Sequence, residues 1–437
     1  MHAPLRTRAP RHPRRRLAPA ALAAALLGLA APAARAQAFA GTSFAALFPP
    51  DTTAPGTAPG VTVLSRARPL YTPLGLRLGL LEARPRLNVG LGYDSNPTGL
   101  PHGAGGLVLR TAPALSLGAG WGQSGFGIDL GLDDRRVPGV PTADRTDWTA
   151  AAGLRLQLGP DQLRLAVAAR ALHEDGSQIG ALPTDRPLPY RVTALSAAWR
   201  FGGGQLSLTP ALGLATWRYD PASLGGVTVP QRYRDRDVIQ GEITARYALA
   251  PRTDLVLVVR GTGSHYVAPQ PEAASRDSTG ISVLTGAEGG DGVLHLRLLA
   301  GWEQRRFAAT TYGTHAAPIA ELQAVWQPSA MTTLTATFSR RIEDAAQEGV
   351  AGYTETAIRL RLDREVRRNL LVSIEAGLQQ ADFTQNGGHE TGTRAAISAT
   401  WLLNRWLHLS AAETLTQLHA TNNVARSLSL ITLGLGW

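Results

Sequence analysis

The chain has 437 residues, 43 basic and 33 acidic side chains, a formal net charge of +10 and no cysteine, enough length for several ordinary domains or one large all-β domain. Seven of the arginines lie in residues 1–36, which hold no acid; without them 36 basic residues face 33 acidic ones, so the charge describes a leader and not a nucleic-acid surface. The lack of thiols excludes disulfides, a lipid-anchor cysteine and zinc–thiolate sites.

Residues 1–36 read as a secretory signal. Arg6, Arg8, Arg11 and Arg14 to Arg16 precede the apolar run LAPAALAAALLGLAAPA, and Ala34-Arg35-Ala36 has the small-x-small form of a cleavage site. Residues 37–75 include PPDTTAPGTAPG, a linker composition, and read as a flexible periplasmic segment. From 76 to 437 one domain is expected, and from about residue 84 a period of two takes over. Segments such as ALSLGAGW, FGIDLGLD, DQLRLAVAAR, TTLTATFSR and SLSLITLGLGW place an apolar residue at every second position.

Eighteen such segments start near residues 84, 106, 125, 147, 161, 188, 205, 235, 254, 276, 291, 314, 331, 352, 369, 389, 406 and 423. Their connections alternate between short (GQSG, GPD, VRRN) and long (DSNPTGLPHGAG, Pro221 to Arg234). Tight turns on one side and longer loops on the other belong to a transmembrane antiparallel up-and-down β-barrel. Eighteen strands are expected, with sixteen as the alternative because LGLRLGLLEA also alternates at the start. Only a closed barrel pairs every backbone group of strands in lipid, and this width leaves an aqueous channel.

The nine tryptophans are expected to form two interface girdles. Trp121, Trp199, Trp326, Trp401, Trp406 and Trp437 fall at the periplasmic rim; Trp148, Trp217 and Trp302 fall near the external ends with several tyrosines. Trp437 also resembles the C-terminal aromatic signal read by the barrel insertion machinery. Strand parity points Arg155, Arg164, Arg170, Arg246, Arg260, Arg297, Arg359 and Arg361 into the lumen, with Glu242, Glu303, Glu321, Glu355 and Glu375. Their neighbours Leu154, Leu163, Leu165 and Leu360 face lipid, where an arginine at the midplane costs about 2–4 kcal/mol. Such a wall either favours anionic solutes or pairs its charges across strands and braces itself. The external loops are short enough that constriction is expected from wall side chains.

PLGLRLGLLEARPRLNVGLGYDSNP, residues 73–97, resembles the opening of the putative β-barrel porin type 2 family. The matching positions are Gly75, Arg77, Gly79, Pro85, Tyr93, Asp94 and Asn96. The resemblance implies an outer-membrane porin associated with exopolysaccharide production. Its partners would be outer-membrane lipid and lipopolysaccharide, the insertion machinery and periplasmic polysaccharide-export proteins. A general or anion-preferring diffusion porin is the alternative, and a barrel enzyme a third reading. HExxH and GxSxG motifs are absent, so no catalytic residue, metal or cofactor is expected. His173-Glu174-Asp175 and Asp133-Asp134 read as loop-edge charge, and Asp94 to Pro97 as a turn opener rather than a calcium loop.

Overall fold

The computed structural model describes residues 62–66, 68–268, 274–384, 388–420 and 423–437; the expected signal and most of the linker lie outside them. A short strand β1 (Leu76–Leu78) folds onto β2 (Leu81–Asp94). Then follow β3 (Gly106–Trp121), β4 (Ser124–Arg136), β5 (Arg145–Leu158), β6 (Asp161–Glu174), β7 (Leu188–Arg200) and β8 (Leu206–Tyr219). A small hairpin, β9 (Ala222–Leu224) with β10 (Val227–Val229), sits in the next loop. The wall resumes with β11 (Arg236–Ala250), β12 (Thr253–Tyr266), β13 (Ser278–Gly290), β14 (Leu294–Phe307), β15 (Thr314–Ser329) and β16 (Thr332–Asp344). It ends with β17 (Gly352–Arg367), β18 (Leu370–Phe383), β19 (His389–Leu402), β20 (Leu407–His419) and β21 (Val424–Gly436).

Each long strand pairs antiparallel with its neighbours, β8 pairs with β11, and β21 returns to β2 through Arg86↔Gly436 to Asp94↔Leu428. The result is a closed barrel of eighteen strands. Strands of 13–16 residues, tilted by roughly 40°, stand about 33–40 Å tall against an apolar band of about 25 Å. They therefore extend past the membrane, on the long-loop side. On the other side turns of two to five residues join the strands. Gly122 (φ 60°) and Gly159 (φ 64°) supply the left-handed backbone that two-residue hairpins require.

Alternation runs around the wall except at the outer end of β16 and β17, where Ile342 and Thr354 take the outward parity yet are buried and Asp344 meets the inner Arg236 and Arg305. On β14 and β15 the exposed Leu294, Leu296, Leu298, Trp302 and Trp326 face out, while His295, Arg297, Leu299, Ile319 and Val325 are buried on the inner side. The girdle tryptophans Trp121, Trp148, Trp199, Trp302, Trp326, Trp401, Trp406 and Trp437 are all well exposed on the outer face or rim. Trp217 departs from the girdle expected for it. It shares the inward parity of Ala215 and Tyr219, is 2% exposed, and lies 4.7 Å from the Arg236 guanidinium. Nearness to a strand end says nothing about which face a ring takes; parity does.

The expectation that wall side chains alone narrow the channel is overturned at the outer mouth. The β6–β7 loop, residues 175–187, turns inward and reaches the far side of the ring. There Ile179 packs against the cluster of Tyr353 and Phe383, and the Gly180 N–H donates to Glu390 on β19 at 2.7 Å. The β8–β11 loop joins it: Tyr233 donates its hydroxyl to the Ala346 carbonyl at 3.1 Å, and Arg276 bonds the carbonyls of Tyr233 and Ala345. Thirteen residues suffice because the strands already carry the loop's two ends above the membrane.

Candidate pore and its mouths

The inner wall is a field of charges in two kinds of sector. Across β11–β18 cations and carboxylates interlock. Arg260 bonds Glu242 at 2.9 Å and Glu321 at 3.4 Å; Arg246 and Arg297 each reach Glu288 at 3.6 Å. Arg361 pairs with Asp363 at 2.8 Å and Glu375 at 3.6 Å, while Arg359 and Arg394 share the other oxygen of Glu375. Glu303 meets Arg305 at 3.4 Å, and Glu355 meets Arg341 at 2.6 Å.

The β5–β6 sector differs. Arg155 stands directly opposite Arg164 in the pairing register, and like charges in that relation destabilise a sheet. Arg164 donates to Gln162 at 2.7 Å. Arg155 and, six residues above Arg164, Arg170 have no carboxylate partner among the described residues. Cations held this way attract anions from the lumen water.

All thirteen residues expected to line the pore take the inward parity of their strands. Those on β11–β18 join ion pairs, so they brace the wall as well as line it. Sequence reasoning missed the charges nearer the outer mouth. There Asp133 is gripped by Arg110 (2.9 and 2.8 Å) and Arg135 (both 3.2 Å), and Arg145 reaches Asp175 at 3.3 Å. The signal was available: Arg110, Asp133, Arg135 and Arg145 alternate with apolar or exposed neighbours as the deeper arginines do.

Of the motif residues, Asp94 and Asn96 serve the barrel's closure. Asp94, 2% exposed, takes Arg426 of β21 in a forked pair, 2.6 Å at its closest. It also accepts the Asn96 N–H at 3.0 Å. Asn96 in turn donates to the carbonyls of Leu100 (2.7 Å) and Ala425 (3.2 Å), fixing the first loop to the last strand. Tyr93 faces outward, half exposed.

Arg426 extends the seam to the loop that crosses the mouth, bonding Asp175 at 2.9 Å. Burial pushes the Asp175 carboxyl up, but Arg426 and Arg145, with the hydroxyl and N–H of Ser177, outweigh it and hold the pKa below the usual value. Arg234, on the neighbouring loop, is buried too, yet its forked pair with Glu174 (3.1 and 2.8 Å) raises its pKa.

At the short-turn end a second element narrows the lumen. Residues 62–66 and 68–72 tuck into the mouth, where Val63 is 1% exposed and its N–H donates to Thr333 Oγ1 at 3.0 Å. Arg68 bonds Glu365 at 2.7 Å and the Val63 carbonyl at 2.8 Å, and Arg405 bonds the Pro69 carbonyl at 2.8 Å.

Among the described residues no catalytic grouping stands out in the wall. His173 Nδ1 pairs with Asp147 at 2.8 Å, while Asp134 lies with Arg136 and Thr146. Among the described residues no three His, Asp or Glu side chains are placed to hold a metal ion. No helix of the described residues is long and apolar enough to cross a membrane.

Solved outer-membrane barrels resemble the fold. The outer membrane protein OpdK of Pseudomonas aeruginosa matches at 14% identity and a TM-score of 0.42, over 82% of this chain and 99% of that one. A BenF-like porin of Pseudomonas fluorescens Pf-5 matches at 14% and 0.42, over 82% and 100%. The FrpB iron transporter of Neisseria meningitidis (F3-3 variant) matches at 11% and 0.43, over 77% of this chain; the match spans 62% of that longer protein. No curated protein matches the sequence. The family described as "Putative beta-barrel porin 2" matches residues 68–433. With its closed wall, charged lumen and outward girdles, the chain belongs to that porin family of the outer membrane.

Proposed function

We propose that the protein is a passive conduit with a preference for anionic solutes, and that the anion it carries is an acidic exopolysaccharide leaving the cell. The single observation behind the anion preference is Arg155 facing Arg164 on the inner wall, with Arg170 above them and no carboxylate on Arg155 or Arg170 among the described residues. Paired charges elsewhere in the lumen contribute little net field. A repeating row of guanidinium groups suits repeated carboxylates, because each forked contact is cheap to exchange for the next. The exopolysaccharide itself rests on the resemblance at residues 73–97, and its export would require periplasmic partners that deliver polymer to the inner mouth.

A second reading is a diffusion porin for small anions. The inward β6–β7 loop favours it, since a crossed mouth passes small solutes more easily than a chain.

Conductance of the refolded mature chain in a planar bilayer tests both. Current that is anion-selective and blocked by acidic, but not neutral, polysaccharide supports the conduit. Anion-selective current indifferent to both polymers supports the small-anion porin. Cation selectivity sinks either. A strain lacking the protein that secretes its polysaccharide normally would sink the export role.

A further inference from the structure

The wall bends hardest at β13–β14. Gly286 and Gly301 face inward there, and a Cβ on them would collide with the carbonyl oxygens of Leu298 and Val283. Glycine inside a strand marks such a corner, because two backbones can then come closer than side chains allow. Around the corner five inward aliphatic side chains form a core of their own. Val256 and Val258 on β12, Leu284 on β13, Leu299 on β14 and Ile319 on β15 are 0–4% exposed. On the inner face of an open channel they would stand in water. The charges that interlock on the same face of the same strands, Arg260 with Glu242 and Glu321 and Arg297 with Glu288, supply their cover.

The ion pairs measure the bend. Arg236 Nε on β11 lies 3.0 Å from Asp344 Oδ2 on β16, so the two α-carbons are within about 12 Å of each other. In a round barrel of eighteen strands, roughly 36 Å across, points five strands apart stand about 27 Å apart. Arg260 on β12 and Glu321 on β15, joined at 3.4 Å, are drawn within about 15 Å where a circle gives roughly 18 Å. β11–β16 therefore fold into a side lobe. Over its outer end Arg276 and Tyr233 bond the carbonyls of Ala345 and Ala346, and at its inner end Val63 bonds Thr333.

We infer that the barrel is two-lobed in section, that the β11–β16 lobe is closed to solute, and that permeation runs through the other lobe along the β3–β8 wall. The inner face of that wall carries Ala114, Gly131, Ala151, Gly153 and Ser196 between the mouths, short side chains that leave the route open. The guanidinium groups that meet a passing solute are then Arg155, Arg164 and Arg170. Arg246, Arg260 and Arg297 have the same inward parity but fill the closed lobe. The division holds whichever anion the protein carries.

The chain has no cysteine, so a single introduced thiol reports its own surroundings. The probe is a membrane-impermeant methanethiosulfonate bearing a sulfonate. Its rate is read from the mass gain of the full barrel in proteoliposomes, and its effect on the route from single-channel current. A151C should react and lower the current. S282C, at an inward position of β13 where the serine is 4% exposed, should react roughly a hundredfold more slowly, because a covered thiol reacts only in locally opened molecules. Adding Arg260→Ala removes part of the cover and should bring the rate of S282C close to that of A151C. Equal rates for S282C and A151C without that change would overturn the inference. So would A151C modified at unchanged current, or S282C still protected beside Arg260→Ala in barrels that keep the gel shift of folded protein.

Discussion

Asp94 on the first barrel strand and Arg426 on the last are joined across the seam by a forked ion pair, 2.6 Å at its closest, and the same guanidinium holds Asp175 of the loop that crosses the outer mouth at 2.9 Å. One side chain therefore ties closure of the barrel to closure of its entrance. The pair is almost fully buried, so removing Asp94 leaves the buried Arg426 with Asp175 as its one remaining carboxylate partner among the described residues.

Asp94→Ala should destabilise the barrel by about 3–5 kcal/mol, the usual effect of breaking a buried ion pair. The urea midpoint of the heat-modifiable gel band measures it. Asp134→Ala, at the exposed pair with Arg136, should change that midpoint by less than about 1 kcal/mol. Equal effects would mean that the seam pair holds nothing.

Acid should release the crossing loop. The folded pKa of Asp175 is below its ordinary value, so its contribution is complete above that ordinary value, about 3.9, and is lost as pH falls through the folded one. Single-channel conductance should stay flat from pH 7 to 5 and step upward only below about pH 4. Asp175→Asn should show the larger conductance already at pH 7. A transition near pH 6 would mean that a group other than Asp175 releases the loop.

Arg155→Glu should reverse or abolish anion selectivity, because it places a carboxylate opposite Arg164 and pairs the sector internally. Reversal potential under a salt gradient reads the change, and high salt should shrink it as screening shortens to a few ångströms. The same exchange at Arg361, already paired with Asp363 and Glu375, should alter selectivity less and stability more.

The inner mouth gives a fourth expectation. Arg68→Ala removes the ion pair to Glu365 and should loosen residues 62–66 and 68–72, raising open-channel current and its noise. Glu365→Gln should do the same. Unchanged current in both would mean that this segment does not narrow the path.

The wall was legible in the sequence because lipid imposes it. A strand with one face in the bilayer must alternate, and a chain crossing back and forth must place its tight turns on one side, so strand starts such as 106, 161, 188, 314, 352 and 389 could be read directly. Parity also placed Arg155 and Glu321 inside. What parity could not say is who pairs with whom. Arg260 bonds Glu321 three strands away, and Asp175 bonds Arg426 from 251 positions earlier. Loops escape the rule altogether: nothing in the string around Ile179 says that it seeks Tyr353. Trp217 misled because an aromatic near a strand end can serve either the lipid interface or a packed inner layer.

The inner mouth also imposes an order in time. Val63 rests on Thr333, 270 positions later, and Arg68 on Glu365, 297 positions later. Until β16 and β17 exist, that stretch of chain has nothing to lie against, and contacts so distant in sequence form late. The earliest part of the described chain is thus the last to settle, and its settling reports that nearly the whole circumference has been laid down.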